Sequence, residues 1–104
     1  MKSYRLTVGA NQDLDNIANY IASDNPAAAD RVMLNIRKTL GLLAETPLIG
    51  PLHGRIRSQL RVFPALRPAH KYLIFYEAEP DGILVLAILH SARNWQRMFR
   101  TGER

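Results

Sequence analysis

The hydrophobic period of this chain changes once, near its midpoint, and that change restricts the fold more than any other feature. Before it, Leu14, Ile17, Ala18 and Ile21 fall on one stripe, and Ala29, Val32, Met33, Ile36, Leu40 and Leu43 on another. Both stripes have the spacing of amphipathic helices. After it, residues 59–64 (QLRVFP), 70–77 (HKYLIFYE) and 83–90 (ILVLAILH) are short, branched and aromatic, the composition of strands. Residues 4–8 (YRLTV) also alternate and stop at Gly9, so a first strand precedes the helices.

The breaks agree with this division. Thr7 is placed to cap the first helix. Asp13 and Asp15 fall early in that helix, where its dipole favours negative charge. Ser23-Asp24-Asn25-Pro26 ends it and restarts the chain, with Asn25 as N-cap and Pro26 at the first helical position. The second helix runs to about Glu45 and ends at Thr46-Pro47. So short a link predicts a helical hairpin. Residues 47–58 hold two Pro and two Gly with no period and read as a loop. Pro64 suits an edge or strand end, and Glu79-Pro80-Asp81-Gly82 joins the last two strands as a hairpin. The unbroken apolar run at 83–90 predicts a central strand covered on both faces. The expected fold is α+β, in the order β-α-α-β-β-β: an antiparallel helical hairpin on a mainly antiparallel sheet, with a short C-terminal tail. At 104 residues the chain makes one domain, spanning 1–104.

Composition removes several kinds of chemistry. Without cysteine there is no disulfide, thiol nucleophile or cysteine-based zinc site. His53, His70 and His90 lack metal-ligand spacing, so no metal is expected. No Gly-rich phosphate loop occurs, and no cofactor is expected. The first residues do not read as a signal peptide, and the longest apolar run, seven residues, is too short to span a bilayer. The expected compartment is the cytoplasm.

Charge is distributed unevenly. Residues 1–54 hold five Lys/Arg and five Asp/Glu, whereas residues 55–104 hold nine against four. A one-sided basic field suits an acidic partner, whether nucleic acid, an acidic peptide or an enzyme that handles DNA or RNA, or else serves as a solvated face. Basic and aromatic residues gather where strands end: Arg61, His70, Lys71, His90, Arg93, Trp95, Arg97, Phe99 and Arg100. Trp95 reads as a lid over the end of the sheet or as an interface anchor, and Arg93 as an internal ion-pair partner or a contact to a target. One catalytic scheme is open to such a set, metal-free RNA cleavage by the 2′-hydroxyl, which needs an acid, a base and cations on the phosphate.

The motifs D-L-x-x-I-A-x-Y-I at 13–21, N-P-A-A-A at 25–29, F-P at 63–64, Y-L-I-F-Y at 72–76 and L-x-x-L-H-x-A-R-N at 86–94 resemble the RelE/ParE superfamily of bacterial toxins over essentially the whole chain. The resemblance implies a helical hairpin on an antiparallel sheet and the toxin role in a type II toxin–antitoxin system. ParE-like members are associated with poisoning DNA gyrase, and RelE-like members cut mRNA on the ribosome. The L-H-S-A-R-N ending looks like ParE. Phe99 stands where RelE-like enzymes generally carry a Tyr or His acid/base, and phenylalanine exchanges no proton. The resemblance therefore implies a gyrase inhibitor, not an enzyme, with Arg93, Trp95, Arg97 and Arg100 contacting the target. The alternative is a metal-independent, ribosome-dependent endoribonuclease using Arg61, Lys71 and Arg93. It also implies a ParD-like antitoxin, for which Tyr20, Arg31, Ile74 and Tyr76 are the candidate contacts.

Overall fold

A computed structural model describes residues 2–102. The elements follow the expected order: β1 (Ser3–Leu6), α1 (Val8–Ala22), α2 (Pro26–Glu45), β2 (Arg61–Pro64), β3 (Tyr72–Glu79) and β4 (Gly82–His90), then a short helix, α3 (Trp95–Arg100). The helices start where their caps predict. Thr7 Oγ1 accepts the Ala10 N–H at 3.1 Å, and Asn25 Oδ1 accepts the Ala28 N–H at 3.1 Å with Pro26 in the first turn. Thr7 itself lies outside β1, which ends one residue earlier.

The sheet has four strands in the order β1-β4-β3-β2. The pairs β2–β3 and β3–β4 are antiparallel, and β1 lies parallel to β4, which makes β4 central as its apolar run predicts. Tyr76 stands opposite Val85 but Phe75 opposite Ala87. Leu86 is the extra residue of a β-bulge. Up to the bulge, Ile83 and Val85 face the helices; beyond it Ile88 does, while Leu86, Ala87 and Leu89 face the other way.

Two cores result. The helix-side core joins Ala10, Ile17, Ile36, Leu40 and Leu43 to Ile74, Tyr76, Ile83, Val85 and Ile88. On the opposite face, Leu60, Val62, Phe75, Leu86, Ala87 and Leu89 pack with Phe99, and Ile56, Trp95 and Met98 close over them. The expected C-terminal tail is thus partly a helix. Asn94 Oδ1 caps it through the Arg97 N–H at 3.3 Å, and its apolar side is needed because that sheet face would otherwise be bare.

Two aspartates were expected to serve the α1 dipole, but the first turn of α1 carries no acid. Asp13 lies in the second turn and is only 7% exposed. Its Oδ2 accepts the Ile88 N–H at 2.9 Å, so it acts as a tie between helix and sheet.

Candidate functional site

The sheet ends in a turn after His90, and this turn brings Arg93 against α1. A groove of about 520 Å³ runs between them, lined on one wall by Asp13, Asn16, Ile17 and Tyr20 and on the other by Tyr72, Ile88, His90 and Arg93. Its floor is apolar through Ile17 and Ile88, and its mouth carries exposed Arg93 and Tyr20, the latter 78% exposed. The turn is built by three backbone-directed contacts. The Ser91 N–H donates to the Lys71 carbonyl at 2.7 Å, the Arg93 N–H to the His90 carbonyl at 3.0 Å, and the Ala92 N–H to His90 Nδ1 at 3.0 Å. The last of these makes Nδ1 an acceptor and leaves the proton of a neutral ring on Nε2. Tyr72 stands edge-on to His90, ring centroids 5.4 Å apart. Burial, and secondarily the nearby Tyr20, hold the Tyr72 hydroxyl above its ordinary pKa, so it keeps its proton at neutral pH.

Only some of the expected residues meet here. Arg93 is exposed at the groove. Trp95 is half-buried on the opposite face, tilted against Phe75 at 5.0 Å and edge-on to His53 at 5.5 Å, so it is the lid of the two readings. Arg97 and Arg100 are exposed in the last turn of α3, where cations complement the helix end. Phe99 is a core residue, 5.2 Å from Phe75.

Arg61 is elsewhere. Its guanidinium donates to the Gly50 carbonyl at 2.8 Å and the Leu48 carbonyl at 3.2 Å. It pairs with Tyr76, five residues along β3 from Lys71, a separation of about 16 Å along an extended strand. Lys71 is exposed next to the groove's end of the sheet. Arg61, Lys71 and Arg93 therefore do not converge on one phosphate-sized site.

The four expected partner contacts also divide. Tyr20 and Arg31 are exposed on α1 and α2. Ile74 and Tyr76 are each 0% exposed, which corrects the expectation that they face a partner. The Y-L-I-F-Y segment sits in a strand covered on both faces. The Tyr76 hydroxyl donates to the Pro47 carbonyl at 2.7 Å and accepts the Gly50 N–H at 3.0 Å, fastening the 47–52 loop to the sheet. Sequence reasoning missed Asp13, Asn16 and Tyr72 as groove residues. The signal available was the helical spacing of Asp13, Asn16, Ile17 and Tyr20, which puts them on one face of α1.

A helical pair on one face of a mainly antiparallel sheet is the arrangement the sequence resemblance implied. Residues 4–95 match the family described as the ParE toxin of the type II toxin–antitoxin system parDE. The chain belongs to the ParE toxin family. Among proteins named as toxins, it is 35% identical to Y4kP of Sinorhizobium fredii over 93% of this chain and 96% of that one. It is 32% identical to the toxin RelE3 of Caulobacter vibrioides over 88% of this chain and 96% of that one. A chain of the chromosomal ParDE system from P. aeruginosa shares the fold, with a TM-score of 0.69 at 21% identity, covering 86% of this chain and 96% of that one. The ParE family implies an antitoxin partner. Among the described residues of this ParE-family chain no helix is long and apolar enough to cross a membrane.

Proposed function

We propose that this toxin acts in the cytoplasm by gripping DNA gyrase through the end of its sheet, with Arg93, Arg97 and Arg100 as the contacting cations and Trp95 as their support. The separation of Arg61 from Lys71 and Arg93 carries this reading. Cleavage of RNA by its own 2′-hydroxyl needs several charged groups on one phosphate, and Arg61 is committed to the carbonyls of Leu48 and Gly50. Phe99 lies in the core and exchanges no proton. What stays exposed is a set of arginine forks suited to acidic side chains or phosphates. A ParD-like antitoxin neutralises the toxin, and exposed Tyr20 and Arg31 are the contacts retained for it.

The test is supercoiling by purified gyrase. Inhibition by the wild-type chain, with growth arrest on induction and loss of both in Arg93→Ala, is the expected outcome. No effect on gyrase at concentrations exceeding those that arrest growth would remove the reading.

One observation favours the second reading, a RelE-like endoribonuclease. Tyr20, Tyr72 and His90, all able to exchange a proton, line the same groove as Arg93. Ribosome-bound message cut by the wild type, but not by Arg93→Ala or His90→Ala, would establish it. Intact message under those conditions would eliminate it.

A further inference from the structure

Strand β1 covers only the first half of β4. Pairing stops with Leu6 opposite Val85, and the Thr7 N–H takes the Val85 carbonyl at 3.0 Å. Side chains continue where the strand ends. Thr7 Oγ1 donates to the Leu86 carbonyl at 3.2 Å, and Asp13 accepts the Ile88 N–H. On the other side of β4, the Ser91 N–H bonded to Lys71 fixes the alternation, so that residues 89 and 91 turn to β3 while Ile88 and His90 turn outward. The His90 carbonyl is taken by the Arg93 N–H. Among the described residues, an outward acceptor, Ile88 C=O, and an outward donor, His90 N–H, remain unmatched along this edge.

The direction of a strand that fits there is determined. An antiparallel strand exchanges both bonds with a single residue. Ile88 has its N–H held by Asp13, and His90 has its C=O held by Arg93, so neither can offer both. A parallel strand instead places one residue between the C=O of one position and the N–H two positions later, and Ile88 C=O with His90 N–H is that arrangement. The central residue of such a strand lies level with Leu89. Its two neighbours, level with Ile88 and His90, point to the α1 side, into the groove of Ile17, Tyr20 and Tyr72.

We propose that this edge receives an extended segment of the antitoxin, running parallel to β4, with an apolar side chain level with Ile88 and a carboxylate two residues later on Arg93. The identity of the partner rests on the toxin reading above. Charge selects the sequence of the segment. Asp13 beside Ile88 disfavours an acid at the first position, Arg93 favours one at the second, and the basic excess of residues 55–104 draws an acidic chain. Occupation of this edge covers Arg93, so antitoxin and target exclude each other at one side chain.

The test uses the full chain and the full-length product of a ParD-like reading frame sought next to its gene. In the complex, exchange of the His90 amide is expected to slow by about a hundredfold or more. Arg93→Glu is expected to weaken binding by at least about tenfold, and Arg in place of the matching acid of the antitoxin is expected to restore it. A tight complex with unchanged His90 exchange, or wild-type affinity in Arg93→Glu, overturns the proposal and leaves the toxin reading intact. Protection of His90 in the free chain that rises with its own concentration also overturns it, because the occupant is then a second copy. If the wild-type chain binds no such antitoxin, the toxin reading itself falls.

Discussion

The carboxylate of Asp13 accepts the backbone N–H of Ile88 at 2.9 Å, across 75 residues of sequence and in a buried setting. It takes the place of the strand residue that β1 is too short to supply. Asp13→Ala leaves a buried N–H without an acceptor, and the expected loss is about 2–3 kcal/mol. In a domain of this size that lowers the melting temperature by roughly 8–20 °C. Asp13→Asn keeps an oxygen there and should lose clearly less. Thermal and urea unfolding of the two variants, compared at one pH, measures the difference.

Gly82 opens β4 with φ of 141°, and a Cβ at this position would collide with the Ser3 carbonyl oxygen. Backbone, not a movable side chain, fills that space, so Gly82→Ala must displace β1. The expected cost is about 3 kcal/mol. Hydrogen exchange should show the loss concentrated in residues 3–6. A variant as stable as wild type would mean that β1 is not held in this register.

The Tyr76 hydroxyl joins Pro47 and Gly50, and its burial raises its pKa above the ordinary 10 despite the opposing pull of the Gly50 N–H and Arg61. The folded state therefore favours the protonated hydroxyl. Its contribution is complete below about pH 10 and is lost as pH rises further, because the unfolded chain ionises first. Tyr72 behaves in the same direction. Tyr76→Phe should lose about 1–3 kcal/mol at neutral pH and show a shallower decline of stability in alkali. Urea midpoints from pH 8 to 11 read both effects.

Arg61 and Arg93 should separate structure from activity. Arg61→Ala frees the carbonyls of Leu48 and Gly50 and should cost about 1–2 kcal/mol, with growth arrest retained once expression is matched. Arg93→Ala removes an exposed side chain and should stay within about 0.5 kcal/mol of wild type, yet abolish growth arrest. The reverse pattern would place the functional cation at Arg61.

The order of elements, both helix caps and the central place of β4 were legible in the sequence because each rests on local rules: period, cap residues and a two-sided apolar run. The parallel setting of β1 was not, since nothing local tells a first strand which neighbour it will find. Helix α3 was hidden by its length, six residues being too few for a period to show. The exposed arginines at 93, 97 and 100 were readable from charge. The burial of Ile74 and Tyr76 was not, because residues 72–76 carry as many rings as a binding surface would, and only the covering of both sheet faces distinguishes the two.

The bulge at Leu86 inserts one residue and so inverts the parity of everything after it. Because Leu86 and Ala87 share the α3 face, deleting Leu86 would restore strict alternation and leave Ile88 and the residues after it on the sides they occupy now. Arg93 would stay on the α1 side. The hydrophobic run itself carries no alternation to fix its register, and Thr7 and Asp13 tie it from outside the strand. The extra residue is slack in the strand: it can be lost or kept without changing which surface carries the arginine.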